Sequence, residues 1–147
     1  MPDWSDRLFL ILDPSGRWAG PIQTQIMADL QPQARTHQSG QITCETCTTV
    51  REINALCDAA NVCGLILFFH GLEREILGFL RTVWNRCPHL QVLVVAESQH
   101  ADLVPVLLES GVSQVLLDIH NDLPIARWAL QTLPSVTADR ATESPRG

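Results

Sequence analysis

The chain predicts a doubly wound α/β domain, a five-stranded parallel sheet with helices on both faces. Three observations carry this expectation. Short apolar runs rich in β-branched residues alternate with amphipathic stretches. The runs are continuously apolar, as in strands buried on both sides of a parallel sheet. The joints between them carry residues that start and stop helices.

The elements follow in order. "RLFLILD" (7–13) is a buried strand ending in an acid. The next stretch, "PSGRWAGP", is a poor helix interior, because Gly16, Gly20 and Pro21 break it. Gly20 as N-cap and Pro21 at the first helical position start the helix later, with Ile22, Ile26 and Leu30 along one face. "QPQARTHQSG" reads as a polar joint, and "QITCET" as a short second strand. Thr49 and Glu52 form a capping-box pattern ahead of a helix whose apolar face is Val50, Ile53, Cys57 and Ala60. "CGLILFF" is the third strand. The third helix turns Ile76, Phe79, Leu80, Val83 and Cys87 inward and stops at Pro88. "LQVLVVAES" and "VSQVLLDIH" are the fourth and fifth buried strands. "HADLVPVLLESG" lies between them as an amphipathic helix closed by Gly111. "NDLPIARWALQTL" is the last helix, with Asn121 or Asp122 as N-cap and Pro124 in its first turn.

Length and composition set further bounds. The 147 residues suit one domain, 1–134, followed by a polar, unpatterned tail, 135–147, that reads as a frayed end or the start of a linker. Hydrophobic residues make up 46%, enough for a core and too many for a disordered chain. No apolar run approaches the roughly 18 residues of a membrane span. Asp3 and Asp6 before "LFLIL" do not fit a signal peptide, so a cytoplasmic protein is expected. The net charge of -6 argues against direct nucleic-acid binding. All ten basic residues are Arg, since the chain has no Lys.

The order and lengths from Leu90 to Leu133 resemble the end of a response-regulator receiver (CheY-like) domain, and the resemblance extends over residues 7–133. It implies a flavodoxin-like sheet of order 2-1-3-4-5, with its functional crevice beyond the carboxyl ends of the strands. Receivers place there two acids after strand one, a phospho-accepting Asp after strand three, a Thr or Ser after strand four and a Lys after strand five. The acids hold Mg²⁺, the Asp attacks the phosphoryl group, and the hydroxyl and Lys hold its oxygens.

Laid on that pattern, the acid pair falls on Leu12 and Asp13, and the phospho-acceptor on Phe69 with His70 beside it. The hydroxyl position falls on Ala96, near Ser98, and the Lys on Asp118. A chain without Lys cannot restore that position in any register. The resemblance therefore implies a degenerate pseudo-receiver, with no aspartyl phosphorylation and weak Mg²⁺ binding. Simpler roles stand beside these. Asp13 either serves catalysis or accepts backbone N–H bonds in its loop. Asp118 is a solvated acid or a partner of Arg17 or Arg127. His70 is a phosphorylated or metal-binding histidine, or a solvated one. Ser98 has no His–Asp partner set.

Cysteine supplies the competing reading. Cys44 and Cys47 form C-x-x-C, while Cys57, Cys63 and Cys87 are scattered. No second close pair completes a zinc site. A redox pair opens a helix after a strand, as Cys47 does here, yet period two turns the two thiols different ways. Buried, unreactive thiols are expected at Cys57, Cys63 and Cys87.

The expected function is a non-enzymatic, receiver-like signalling or regulatory module without cofactor or metal. It acts by protein binding or dimerisation, without membrane contact, and forms the N-terminal part of a larger transcriptional regulator. The resemblance places its interface on helix four, strand five and helix five, where Arg127 and Trp128 are the interface candidates, with core packing as the other role for Trp128. The alternative is a small redox or ligand-binding flavodoxin-like domain using Cys44 and Cys47 or the crevice.

Overall fold

A computed structural model describes residues 6–36, 41–59, 62–121, 124–129 and 131. Five strands form one parallel sheet: β1 (Asp6–Leu12), β2 (Gln41–Cys47), β3 (Val62–Phe68), β4 (Gln91–Ala96) and β5 (Gln114–Leu117). Their order is β2-β1-β3-β4-β5, as the resemblance implied. The helices are α1 (Ala19–Thr36), α2 (Val50–Ala59), α3 (Glu73–Arg86) and α4 (Val104–Glu109). Residues 124–129 are also helical and are called α5 here. The polar tail, Ala60, Leu133 and both the Asp122 cap and Leu123 lie outside the described residues. So does the side chain of Leu30.

Period two divides the strands between two cores. Leu8, Leu10, Leu12, Leu65, Leu67, Val92 and Val94 face α2, α3 and α4, meeting Ile53, Ile76, Phe79, Leu80, Val83 and Leu107. Phe9, Ile11, Ile66, Phe68, Leu93 and Val95 face α1 and α5, meeting Ile22, Ile26, Ile125 and Trp128. The three inner strands, β1, β3 and β4, are thus buried on both faces, which is why they read as unbroken apolar runs.

One irregularity keeps the two cores in phase. The β1–β3 register shifts by one residue between Leu8 and Phe9, so Leu8 pairs with Val62 and Phe9 with Gly64. A Cβ on Gly64 would lie 2.4 Å from the Phe9 ring and 3.5 Å from Trp128. The missing side chain is the space the Phe9 ring occupies.

Several helix boundaries differ from expectation. The first helix begins at Ala19, before Gly20, because Asp13 caps it from the end of β1. It continues to Thr36 through the stretch read as a polar joint, where Gln31, Gln33, Ala34 and Arg35 are good helix formers. The long fourth helix is instead a 3-10 turn, Ser98–Leu103, followed by the six residues of α4 with Pro105 in its first turn. β5 is a half-exposed edge strand rather than a buried one, since only a short helix covers its end. Trp128 is 5% exposed and packs 6.4 Å from Phe9, so the structure assigns it the core role and not the interface. Arg127 beside it is exposed.

The capping box forms as expected. Thr49 Oγ1 accepts the Glu52 N–H at 3.2 Å, and Glu52 Oε1 accepts the Thr48 and Thr49 N–H groups at 3.1 and 3.2 Å. These bonds, with those from the two threonine hydroxyls, hold the Glu52 carboxyl below its usual range. Arg86 ties α3 to α2 through Asp58 at 2.7 Å and Asn54 at 2.6 Å.

The C-x-x-C thiols point into different cores, Cys44 toward α1 and Cys47 toward α2 and α3. The sheet lies between them, which excludes the proposed redox pair. Burial pushes the Cys44 thiol up to about 12 and that of Cys47 up to about 11. Cys57 is likewise buried and pushed up to about 12. Cys63 and Cys87 are only half-buried, because one lies at the register shift and the other ends α3.

Four outcomes are expected. Gly64→Ala lowers stability by about 1–3 kcal/mol, and Phe9→Leu in the same chain reduces that loss; chemical denaturation of the single and double variants measures both. Thr49→Ala costs about 1 kcal/mol. Because the Glu52 pKa is depressed on folding, its contribution is complete above the unfolded value of 4.5 and disappears as pH falls through the folded value. Melting curves of wild type and Glu52→Gln therefore differ at neutral pH and converge in acid. Lastly, a disulfide reagent modifies Cys63 and Cys87 before Cys44, Cys47 and Cys57 in folded protein; equal rates at all five thiols contradict the burial described here.

Candidate functional site

The carboxyl ends of β1, β3, β4 and β5 meet at one edge of the sheet. β1 delivers Asp13, which is 2% exposed. Its Oδ1 accepts the Ser15 N–H at 3.1 Å and the Ser15 hydroxyl at 2.7 Å. Its Oδ2 accepts the Trp18 N–H at 2.8 Å and the Ala19 N–H at 3.1 Å. A buried carboxylate needs such donors, and here four of them consume both oxygens. Asp13 is the anchor of the β1–α1 loop, the simpler of the two roles its position suggested.

β3 delivers Phe69. Its side chain is fully buried in the core beneath α3, with its ring 5.0 Å from that of His100 in an edge-on contact. His70 follows and is exposed, with its side chain 60% accessible. Gly71, at φ 85°, then turns the chain into α3. Ala96 ends β4, and Ser98 lies two residues on. Asp118 follows β5 at φ 52°, a left-handed conformation that Asp tolerates better than most side chains.

Asp118 pairs with neither Arg17 nor Arg127. It accepts the Ser98 N–H at 2.9 Å and the Ser98 hydroxyl. These two bonds, the hydroxyl first, lower the Asp118 carboxyl below its usual range. The contact joins the β4–α4 and β5–α5 loops, and the Asp118 N–H also donates to Ala96 O at 2.9 Å.

A cleft of about 270 Å³ opens between these loops, lined among others by Arg17, Trp18, Phe68, His70, Glu97 and Asp118. Trp18 stacks on Phe68 at 6.4 Å, and the Arg17 guanidinium lies 5.1 Å from the Trp18 ring centre. Of the five residues expected to share a pocket, His70, Ala96 and Asp118 line this cleft. Asp13 and Phe69 do not; they are turned into the protein behind it. A receiver's Mg²⁺ does not fit this geometry. The remaining acid of the pair is saturated by protein donors, and the metal-facing carboxylate after β3 is replaced by a buried ring.

A second cluster went unread in the sequence. His100 is 6% exposed, and its Nδ1 accepts the Glu97 N–H at 3.1 Å. Its Nε2 lies 3.0 Å from Glu73 Oε2, and His70 Nδ1 lies 3.7 Å from Glu97 Oε1. The signal was present as His-x-x-Glu at 70–73 and Glu-x-x-His at 97–100. Each follows one of two adjacent strands, so their meeting becomes visible only once β3 and β4 are known to be neighbours.

No protein-family model matches the sequence, and no curated protein matches it. Solved structures do match its fold. An orphan response regulator of H. pylori superposes with a TM-score of 0.67 at 13% identity, covering 90% of this chain and 99% of that one. A response regulator from Thermotoga maritima gives 0.64 at 11% identity, covering 88% and 98%. A CpaE2 pilus assembly protein from Sinorhizobium meliloti gives 0.60 at 18% identity, covering 86% and 98%. These likenesses, with the 2-1-3-4-5 parallel sheet, give the chain the receiver fold of the response regulators.

Proposed function

We propose that this chain is a non-enzymatic regulatory module of receiver fold that works as a homodimer, without aspartyl phosphorylation. The observation that carries the reading is the pair of displaced groups at the crevice. Phe69, in the phospho-acceptor position, is fully buried, and the Asp13 oxygens are occupied by four protein donors. Nucleophile and metal holder are therefore both missing, and Asp118 puts a negative charge where phosphate would need a cation. The cytoplasmic setting, the absence of direct nucleic-acid contact and membership of a larger transcriptional regulator belong to the same reading.

Exposed apolar side chains on α4 and β5 favour the dimer. Val106 and Leu108 on α4 are 44% and 48% exposed, and Leu117 on β5 is 39% exposed. Among the described residues these are the large apolar side chains left open to solvent. Glu109 on α4 and Arg127 on α5 are both exposed. Exposed apolar side chains on α4 and β5, with exposed charges of both signs on α4 and α5, are groups that a second copy of the chain would cover in a two-fold interface.

One sample tests both parts. The protein is incubated with acetyl phosphate and Mg²⁺, then read by intact mass and by light scattering on a sizing column. Unchanged mass and a dimer that becomes monomeric in Leu108→Glu, with melting temperature retained, are the expected results. A base-labile added phosphate overturns the unphosphorylated reading. A monomeric wild type, or a dimer indifferent to Leu108→Glu, overturns the interface. An acid-labile phosphate lost in His70→Ala makes His70 a phospho-acceptor and overturns the reading in that form instead.

A further inference from the structure

We propose that His70, Glu73 and Glu97 bind a first-row divalent transition-metal cation, with His100 as the residue that positions Glu73. The site lies between the β3–α3 and β4–α4 loops. The nearest ring nitrogens of His70 and His100 and a carboxylate oxygen of Glu73 lie within 4.8 Å of one another. Glu97 Oε1 adds a fourth polar atom 3.7 Å from His70 Nδ1.

Hydrogen bonding separates ligands from support. A backbone N–H can only donate, so the Glu97 amide makes His100 Nδ1 an acceptor. The His100 proton then sits on Nε2, which donates to Glu73 Oε2 at 3.0 Å. His100 thus has no lone pair left for a metal. With the Gly71 N–H, which donates to the same oxygen at 3.1 Å, it fixes the carboxylate through Oε2, as groups behind metal ligands commonly do.

His70 has the same tautomer, but its Nδ1 faces the carboxylates and its donor is an exposed side chain rather than the backbone. The Gln99 side-chain amide donates to its Nδ1 at 3.1 Å, which leaves the proton on Nε2. That Nδ1 lone pair also faces Glu97 Oε1 at 3.7 Å and Glu73 Oε2 at 3.9 Å. A cation placed among them would be attracted by this lone pair and by both carboxylates. Among the described residues no arginine pairs with either glutamate.

The dimensions fit. Ligand atoms around a tetrahedral zinc stand about 3.4 Å apart, given bond lengths near 2.1 Å. The two observed gaps exceed this by a few tenths of an ångström, and all three ligands are exposed enough to move that far. On binding, the metal displaces the Gln99 amide, and water fills the remaining positions. One imidazole with two carboxylates favours Zn²⁺, Co²⁺ or Mn²⁺ over Mg²⁺. This cation is separate from the receiver Mg²⁺, which would lie at Asp13 and Phe69.

The full chain, stripped with chelator, is titrated with Co²⁺ by visible absorption and with Zn²⁺ by calorimetry. One equivalent per chain is expected, weakened about tenfold or more by His70→Ala and by Glu97→Gln. Glu45→Gln, at an exposed position on β2, leaves affinity unchanged. Both test positions are exposed, and unchanged melting temperatures confirm that the variants fold. No binding at large molar excess overturns the proposal. So does a thiolate-to-cobalt charge-transfer band, or affinity that survives both variants, since either places the metal elsewhere.

Discussion

The ring of Phe9 lies across Gly64, and the phase of both cores follows from that contact. A parallel sheet covered on two sides must keep alternate residues of every inner strand on the same side. Here β1 and β3 achieve it with one register shift just before the ring. Val62 and Leu65, an odd number of residues apart, consequently face the same core. Trp128 then closes over Phe9 from α5 and completes the second layer. A side chain at position 64 would separate Phe9 from its floor and disturb α5 along with it.

Alternation and apolar period made the sheet legible in the sequence. "LFLIL", "LILFF" and "VLVV" became the three inner strands, because burial on two faces leaves a continuous apolar run. The α2 cap was legible for another reason, since Thr49 and Glu52 satisfy each other locally and need nothing distant. The start of α1 was not, because its cap comes from Asp13, six residues before Ala19, and Gly20 with Pro21 offered a nearer local solution. The edge character of β5 was hidden too. "VLL" has the composition of a buried strand, and its exposure depends on how little of α4 there is to cover it.

The crevice was legible as a list of residue types and not as an arrangement. Alignment with the receiver pattern placed Asp13, Phe69, Ala96 and Asp118 at the right strand ends. It carried no information on direction. Phe69 turns inward because a strand end obeys the same alternation as the strand, and an apolar ring gains more from the core than from the cleft. The polar cluster of His70, Glu73, Glu97 and His100 escaped notice for the converse reason, since it is assembled from two loops far apart in sequence.

The tryptophans have an optical consequence. The chain contains no tyrosine, so its near-ultraviolet emission belongs to tryptophan. Three of these residues occupy separate stations. Trp18 stacks in the cleft on Phe68, Trp84 packs against Gly111 at the end of α4, and Trp128 sits in the core beside Phe9. Single-tryptophan versions of the chain would therefore report on occupancy of the cleft, on displacement of α4 and on integrity of the core as three distinct signals, without any added label.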